Sequence, residues 1–267
     1  MKSLVIASDL DGTLLNSQLQ ISEKNKQVLR QLKSKGAHIV LCTGRPFLGM
    51  AHFIPEIGLD KDDYTISYNG SLVQSADCKK ILHQAFISAN DFKRVTEFFS
   101  HYHLGVHAMT LEKIYTYQRF VHPLTVREAY LGNLPLVVLK DSEYVEQPII
   151  KLMAVGDGKR IDQAIPVFNQ VFGSCFSINK SEDYYLEIMQ KGDNKARALE
   201  CLLHEMNLDA NSLIAFGNNR NDMEMLQFAK IGVAVENAVD ELKQISDYVT
   251  KSNDNDGVAH FLEHFCA

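Results

Sequence analysis

Asp9 and Asp11 stand two positions apart, with Leu10 between them and Gly12 behind them, at the end of the apolar run 4–8. Side chains at i and i+2 of an extended segment point to the same side. Two carboxylates held that close are costly unless a cation lies between them. Gly12 allows the chain to turn out of a sheet at that point. A charged Asp-Gly turn after a strand explains the same residues with no chemistry. Thr43-Gly44-Arg45 follows a second apolar run, 38–42, and offers a hydroxyl and exposed N–H groups ahead of a helix, a setting that suits an anion. A simple helix cap explains Thr43 equally well. Lys195 follows Gly192-Asp193-Asn194 and is expected one turn into a helix, where an ammonium can act as a point charge on a phosphate. A solvated surface lysine is the plainer reading. The stretch Gly217-Asn218-Asn219-Arg220-Asn221-Asp222 carries amide and carboxylate oxygens of the kind a hard cation takes, or else a polar loop capped by Asp222.

The elements that must position these residues can be read from periodicity and punctuation. Strands are expected over 4–8, 38–42 and 65–68, with a helix over 22–35 that Ser22 caps and Gly36 ends, and a further helix after Pro46. Asn69-Gly70 is a hairpin signal, with 72–73 and 80–82 as arms. Toward the end of the chain, helices over 195–206, 222–229, 238–245 and 258–265 alternate with strands over 213–216, 231–235 and 248–250. That alternation implies βαβ units and a parallel sheet. Between them the pattern changes. A helix opens at Ser88, whose hydroxyl is three residues before Asp91. Strand-like pieces follow at 105–109, 114–117, 136–139, 149–155, 175–178 and 184–188, with a helix over 160–171. The reading is a discontinuous α/β core, 1–83 and 190–267, doubly wound on a parallel sheet, with an α+β module, 84–189, inserted into it. In such a sheet ligands bind at the carboxyl ends of the strands, and all four groups fall at a strand end or a helix start.

Composition narrows the function. The chain has 267 residues, enough for about two units at roughly 150 residues each. Hydrophobic residues make up 46% and charged residues 22%, which suits a folded enzyme and excludes a disordered chain. Thirty-three acidic against 27 basic side chains leave a net charge of −6, against a nucleic-acid partner. No apolar run reaches the ~20 residues of a membrane span, and the opening residues are too short for a signal peptide. Cysteines at 42, 78, 175, 201 and 266 form no Cys-x-x-Cys pair and no disulfide framework, in keeping with a reducing cytoplasm.

Other features have plain readings. His101, His103 and His107 are taken as surface histidines rather than a metal site, and His260 and His264 as one solvated helix face. Phe92, Val95, Phe98 and Phe99 follow helical spacing and are read as core. Tyr115, Tyr117, Tyr184 and Tyr185 are read as strand core in preference to substrate contacts. Lys79-Lys80 is too short a run to mark nucleic-acid binding.

Taken jointly, Asp9-Leu10-Asp11-Gly12-Thr13-Leu14, Thr43-Gly44, Lys195 and the loop ending Asn221-Asp222 resemble the haloacid dehalogenase superfamily of phosphatases. The narrower resemblance is to its Cof type, with a large cap inserted between the second and third motifs, and it covers essentially the whole chain. The resemblance implies that Asp9 is the nucleophile forming an aspartyl-phosphate and Asp11 the general acid and base. It implies Mg²⁺ held by the Asp9 carboxylate and the Asp11 carbonyl, with Asn218, Asn219 and Asp222 in the metal loop. Thr43, Gly44, Leu10, Lys195 and Asn221 would meet the phosphoryl group, Asn69 would line the site, and the cap would exclude water. One position departs from the family pattern, which has Asp where this chain has Asn218; an amide oxygen lacks the formal charge, so weaker Mg²⁺ binding is expected. The implied activity is Mg²⁺-dependent hydrolysis of a small phosphorylated metabolite, a sugar phosphate or a phosphorylated cofactor. A phosphomutase of the same chemistry, or a metal-weakened binder of a phosphorylated ligand, are the alternatives. Nothing in the sequence sets the oligomeric state.

Overall fold

The computed structural model describes residues 4–265. The chain opens with β1 (Val5–Ser8), α1 (Glu23–Ser34), β2 (His38–Cys42), the short helices α2 (Phe47–Met50) and α3 (Phe53–Glu56), β3 (Tyr64–Ser67), β4 (Leu72–Ser75) and β5 (Ile81–Gln84). The middle runs α4 (Ala89–Ser100), β6 (Gly105–Met109), β7 (Ile114–Thr116), α5 (Pro123–Leu131), β8 (Leu136–Val138), β9 (Lys151–Val155), α6 (Gly158–Phe172), β10 (Phe176–Glu182) and β11 (Tyr185–Gln190). It closes with α7 (Lys195–Glu205), β12 (Leu213–Gly217), α8 (Met223–Phe228), β13 (Ile231–Ala234), α9 (Asp240–Ile245), β14 (Tyr248–Val249) and α10 (Gly257–Phe265). Two compact units result. One takes residues up to 45, 50–83 and 194 onward; the other takes 46–49 and 84–193.

The first unit is built on an eight-stranded sheet in the order β14-β13-β12-β1-β2-β3-β4-β5. The pairs from β14 through β3 are parallel. β3 and β4 are antiparallel and joined through Asn69-Gly70, so the hairpin there has β3 as its first arm; the arms expected at 72–73 and 80–82 are β4 and β5, neighbours joined by a later turn. β1 lies at the centre, and all four of its residues are buried, as a strand covered on both faces requires. The chain leaves β1 toward β2 on one side and returns as β12 on the other. That reversal is where an open parallel sheet leaves a crevice at its carboxyl edge. α1 forms where Ser22 accepts from the Asn25 N–H, and it buries Val28, Leu29 and Leu32. Against the sheet, Ala198, Leu199, Leu202 and Leu203 of α7 and Met225 and Leu226 of α8 pack on Val5, Ala7, Val40 and Ala215. After Pro46 two short helices replace the single one expected. Pro55 has no N–H to offer the residue 51 carbonyl, which weakens a continuous helix at the point where the two separate.

The second unit is a six-stranded sheet, β10-β11-β9-β6-β7-β8, antiparallel except for β7 and β8. Its core holds Phe92, Val95 and Phe99 of α4 with Phe168 and Phe172 of α6, and Phe99 stacks on Phe168 at 5.3 Å. Phe98, Tyr115 and Tyr117 pack against this cluster, and Tyr185 is buried, which accords with a core reading for them. Two expectations need correction. His101 and His103 are exposed, but His107 is wholly buried, because β6 is an interior strand. Helix α5 has no counterpart in the sequence reading: its cap is His122, which accepts from the Leu124 N–H, and Val126, Tyr130 and Leu131 are exposed, so it shows no regular apolar stripe. Cys42 is buried and free, and Cys78, Cys175 and Cys201 are exposed and free; Cys266 lies outside the described residues.

Candidate active site

The loops leaving β1, β2, β3 and β12, and the start of α7, bring the expected residues of the first unit together. Asp9 takes the first position past β1, with its N–H bonded to the Phe216 carbonyl at 3.0 Å, so β12 still holds it as if it were strand. It is 5% exposed. Lys195 is the first residue of α7, not one turn into it, and is 1% exposed. Its Nζ donates to Asp9 Oδ1 at 2.7 Å and to Asp222 Oδ1 at 2.6 Å. Burial disfavours the ammonium, but the two carboxylates outweigh it and hold the Lys195 pKa above the ordinary lysine value. For Asp9, burial pushes the carboxyl up, to about 7; Lys195 pulls it back, and Asp222 adds to the rise. Two buried carboxylates on one ammonium leave an excess negative charge, and a further cation beside Asp9 would favour its ionised form.

Asp222 and Asn219 shape the loop expected to hold the metal. Asp222 Oδ2 accepts from the Asn218 N–H at 2.9 Å and the Asn219 N–H at 3.1 Å, so its two oxygens face three N–H donors. Gly217 makes this possible, since a Cβ there would sit 2.5 Å from the Asp222 Cβ. Asn219 caps the short 3₁₀ turn 220–222 and accepts from the Arg220 N–H at 2.8 Å.

The phosphate side is assembled from three loops. Thr43 is fully buried and continues the β2 ladder, donating its N–H to the Ile66 carbonyl at 2.9 Å; its Oγ1 accepts from the Arg45 N–H rather than capping a helix. The Thr43 carbonyl accepts from the Asn69 N–H at 2.9 Å. Asn69 adopts φ 56°, which its short polar side chain tolerates, and its Oδ1 accepts from Asn221 Nδ2 at 2.9 Å. A Cβ on Gly44 would lie 3.1 Å from the Asn69 carboxamide. Thr43, Gly44, Asn69 and Asn221 therefore meet through Asn69, while Leu10 is buried in the loop between Asp9 and Asp11.

Arg45 was not among the residues singled out for the site, although it stands in the Thr-Gly-Arg triplet. Its Nε donates to Asp11 Oδ2 at 2.8 Å and its Nη2 to Asp11 Oδ1 at 2.5 Å, a two-pronged grip on the expected acid. Adjacency to Thr43 and Gly44 was the one signal that could have found it.

For a divalent cation the chain offers oxygen donors: the Asp9 carboxylate, the main-chain carbonyl of Asp11 and Asn218 Oδ1, which accepts from the Thr13 hydroxyl at 3.2 Å. Among the described residues no three His, Cys, Asp or Glu side chains cluster as a metal site. A hard ion that keeps waters and takes one or two protein carboxylates plus substrate phosphate fits that set. Soft or imidazole-preferring metals do not.

The chain matches the haloacid dehalogenase-like hydrolases over residues 6–262. It belongs to that family. A Streptococcus pyogenes protein named "Putative phosphatase" is 36% identical over 265 residues, 98% of each chain. A Bacillus subtilis protein named 5-amino-6-(5-phospho-D-ribitylamino)uracil phosphatase is 26% identical, across 99% of this chain and 98% of its own. The structure of a haloacid dehalogenase-like hydrolase from Bacteroides thetaiotaomicron superposes with a TM-score of 0.88 at 29% identity, covering 98% of this chain and 99% of that one. This haloacid dehalogenase-like hydrolase is of the Cof type and acts on phosphate esters as a phosphatase. Phosphatases of the family generally use a divalent metal. No helix among the described residues is long and apolar enough to cross a membrane.

Proposed function

We propose that the chain hydrolyses the phosphomonoester of a small metabolite through a phosphoryl-aspartate on Asp9, with Mg²⁺ as the metal. The observation that carries this reading is the Asp9 carboxylate at the carboxyl end of the central strand, 2.7 Å from the Lys195 ammonium. An Asp9 oxygen attacks phosphorus, and the bond from phosphorus to the ester oxygen breaks as the new one forms. Asp11 gives the departing oxygen its proton, then takes a proton from the water that attacks the phosphoryl-aspartate and releases phosphate. Arg45 holds Asp11 as a carboxylate, the form that takes the proton from water; for the acid step Asp11 carries its proton with one of these two bonds released. Lys195, Thr43 and the N–H groups around Gly44 and Leu10 carry the charge of the phosphoryl oxygens, and Asn221 adds its amide. This is phosphoryl transfer by positioning and charge neutralisation. Asp9, the Asp11 carbonyl and Asn218 would hold Mg²⁺, which would supply charge neutralisation for the phosphoryl oxygens.

A sugar phosphate or a phosphorylated cofactor is the substrate class, supported by the name of the B. subtilis relative, which describes a phosphorylated ribityl compound. Release of phosphate from an aryl phosphate, with and without Mg²⁺, tests the reading alongside Asp9→Asn. Mg²⁺-dependent release that Asp9→Asn abolishes is expected. Release that survives the substitution, or none at any Mg²⁺ concentration, overturns it. Transfer of the phosphoryl group to an added sugar hydroxyl in place of water would make the chain a mutase.

A further inference from the structure

Gly12, two residues before the β1 loop closes, is the point where two carboxamides from other loops converge. It has φ +73°, and a Cβ on it would lie 2.4 Å from Asn218 Nδ2 and 3.8 Å from Asn237 Nδ2. Asn237 Nδ2 donates to the Gly12 carbonyl at 2.8 Å. The other end of the same amide is also held: Asn237 Oδ1 accepts from the Asn253 N–H at 3.0 Å. That contact fixes which way the amide faces, so the donor end must point at Gly12. Asn253 in turn donates its Nδ2 to the Leu15 carbonyl at 2.9 Å. The segment 9–15 is thus gripped at Gly12 and Leu15 from the loops around β13 and β14, while within it the N–H groups of Thr13, Leu14 and Leu15 all converge on the Leu10 carbonyl. Asn237 is itself exposed, so burial does not demand that its amide be paired. Its fixed geometry serves the loop.

From this we infer that Asn237 is a positioning residue for the catalytic loop: its hydrogen bond to the Gly12 carbonyl sets the Gly12–Thr13 peptide, one residue past Asp11, and through the Gly12 backbone aims the Asp11 side chain and carbonyl. The inference rests on the reading of Asp9 and Asp11 as the reacting pair. Asn237 touches neither substrate nor reacting atoms, and its effect passes through Gly12.

Asn237→Asp is the decisive variant. It keeps size and the acceptor for the Asn253 N–H, but turns the donor facing Gly12 into an oxygen that repels the carbonyl. Hydrogen exchange by mass spectrometry reads the loop without any need for activity, and steady-state kinetics on an aryl phosphate read its consequence. The expected result is faster exchange confined to 9–16, unchanged exchange over 38–42, and kcat lower by roughly tenfold with KM within about twofold, since a small misplacement of a reacting group costs turnover. Exchange and kinetics like those of the parent protein overturn the inference. So does faster exchange throughout the first unit with loss of thermal stability, which would make Asn237 a structural residue only. If the parent protein releases no phosphate, the function reading fails, and the exchange data alone still decide whether Asn237 holds the loop.

Discussion

Arg45 grips Asp11 with two parallel hydrogen bonds, of 2.8 and 2.5 Å, although the two residues are 34 positions apart. The pair joins the loops leaving β1 and β2, the two strands at the centre of the sheet. Both side chains retain solvent exposure, so the pair adds little to stability. Its value is geometric. A planar guanidinium fixes both carboxylate oxygens, and an ammonium cannot. Arg45→Lys is therefore expected to lower kcat by about tenfold while the urea midpoint stays unchanged, read by phosphate-release kinetics and circular dichroism.

Lys195 presents the opposite case. Its ammonium is buried between Asp9 and Asp222, and removing it leaves two buried carboxylates with no counterion. Lys195→Met should destabilise the first unit by about 3–5 kcal/mol in urea titration and lower turnover by roughly 10²–10³-fold. A Lys195→Met protein as stable as its parent would show that the three groups do not act as one charged unit.

Asn218 sits where the Thr13 hydroxyl already donates to its Oδ1. An aspartate there keeps that bond and adds a formal charge to the proposed metal site. Asn218→Asp should tighten Mg²⁺ binding by about tenfold in calorimetric titration and lower the Mg²⁺ concentration for half-maximal turnover in parallel. Unchanged Mg²⁺ affinity would show that Asn218 is not a ligand.

His107 gives a pH dependence separate from the chemistry. It is fully buried in the second unit, with Nδ1 3.0 Å from Thr125 Oγ1. Burial, and then the charge of Lys151, push its pKa down from 6.5 to about 3. Between those values the unfolded chain binds a proton that the folded chain refuses, so stability is full above the unfolded pKa and falls as pH drops below it. The slope is about 1.4 kcal/mol per pH unit for this one group. His107→Gln should remove that slope, measured as the difference in urea midpoint of the second unit between pH 7.5 and 5.5.

Much of the site was legible in the residues because phosphate and metal chemistry leaves local marks. Strand ends followed by Asp9-Leu10-Asp11-Gly12, Thr43-Gly44 and Gly217-Asn218 are contiguous signals, and strands alternating with helices place such loops on one edge of a parallel sheet. Ser22 and Ser88 announced their helices because a cap bonds within its own turn. The same locality explains the misses. α5 begins on a histidine cap and has no regular apolar stripe, so neither signal was present.

What the sequence determined alone was therefore the kind of elements, the loops that carry carboxylates, hydroxyls and amides, and the class of chemistry those groups serve. Tertiary structure decided which of them pair. Lys195 reaches Asp9 across 186 positions, Asn237 reaches Gly12 across 225, and Asp222 turns to Lys195 and two main-chain N–H groups. These partnerships follow from strand order, which places β12 and β2 on either side of β1. Hydrogen bonds act only over about 3 Å, so a residue's role among many possible partners is settled when the sheet sets its neighbours.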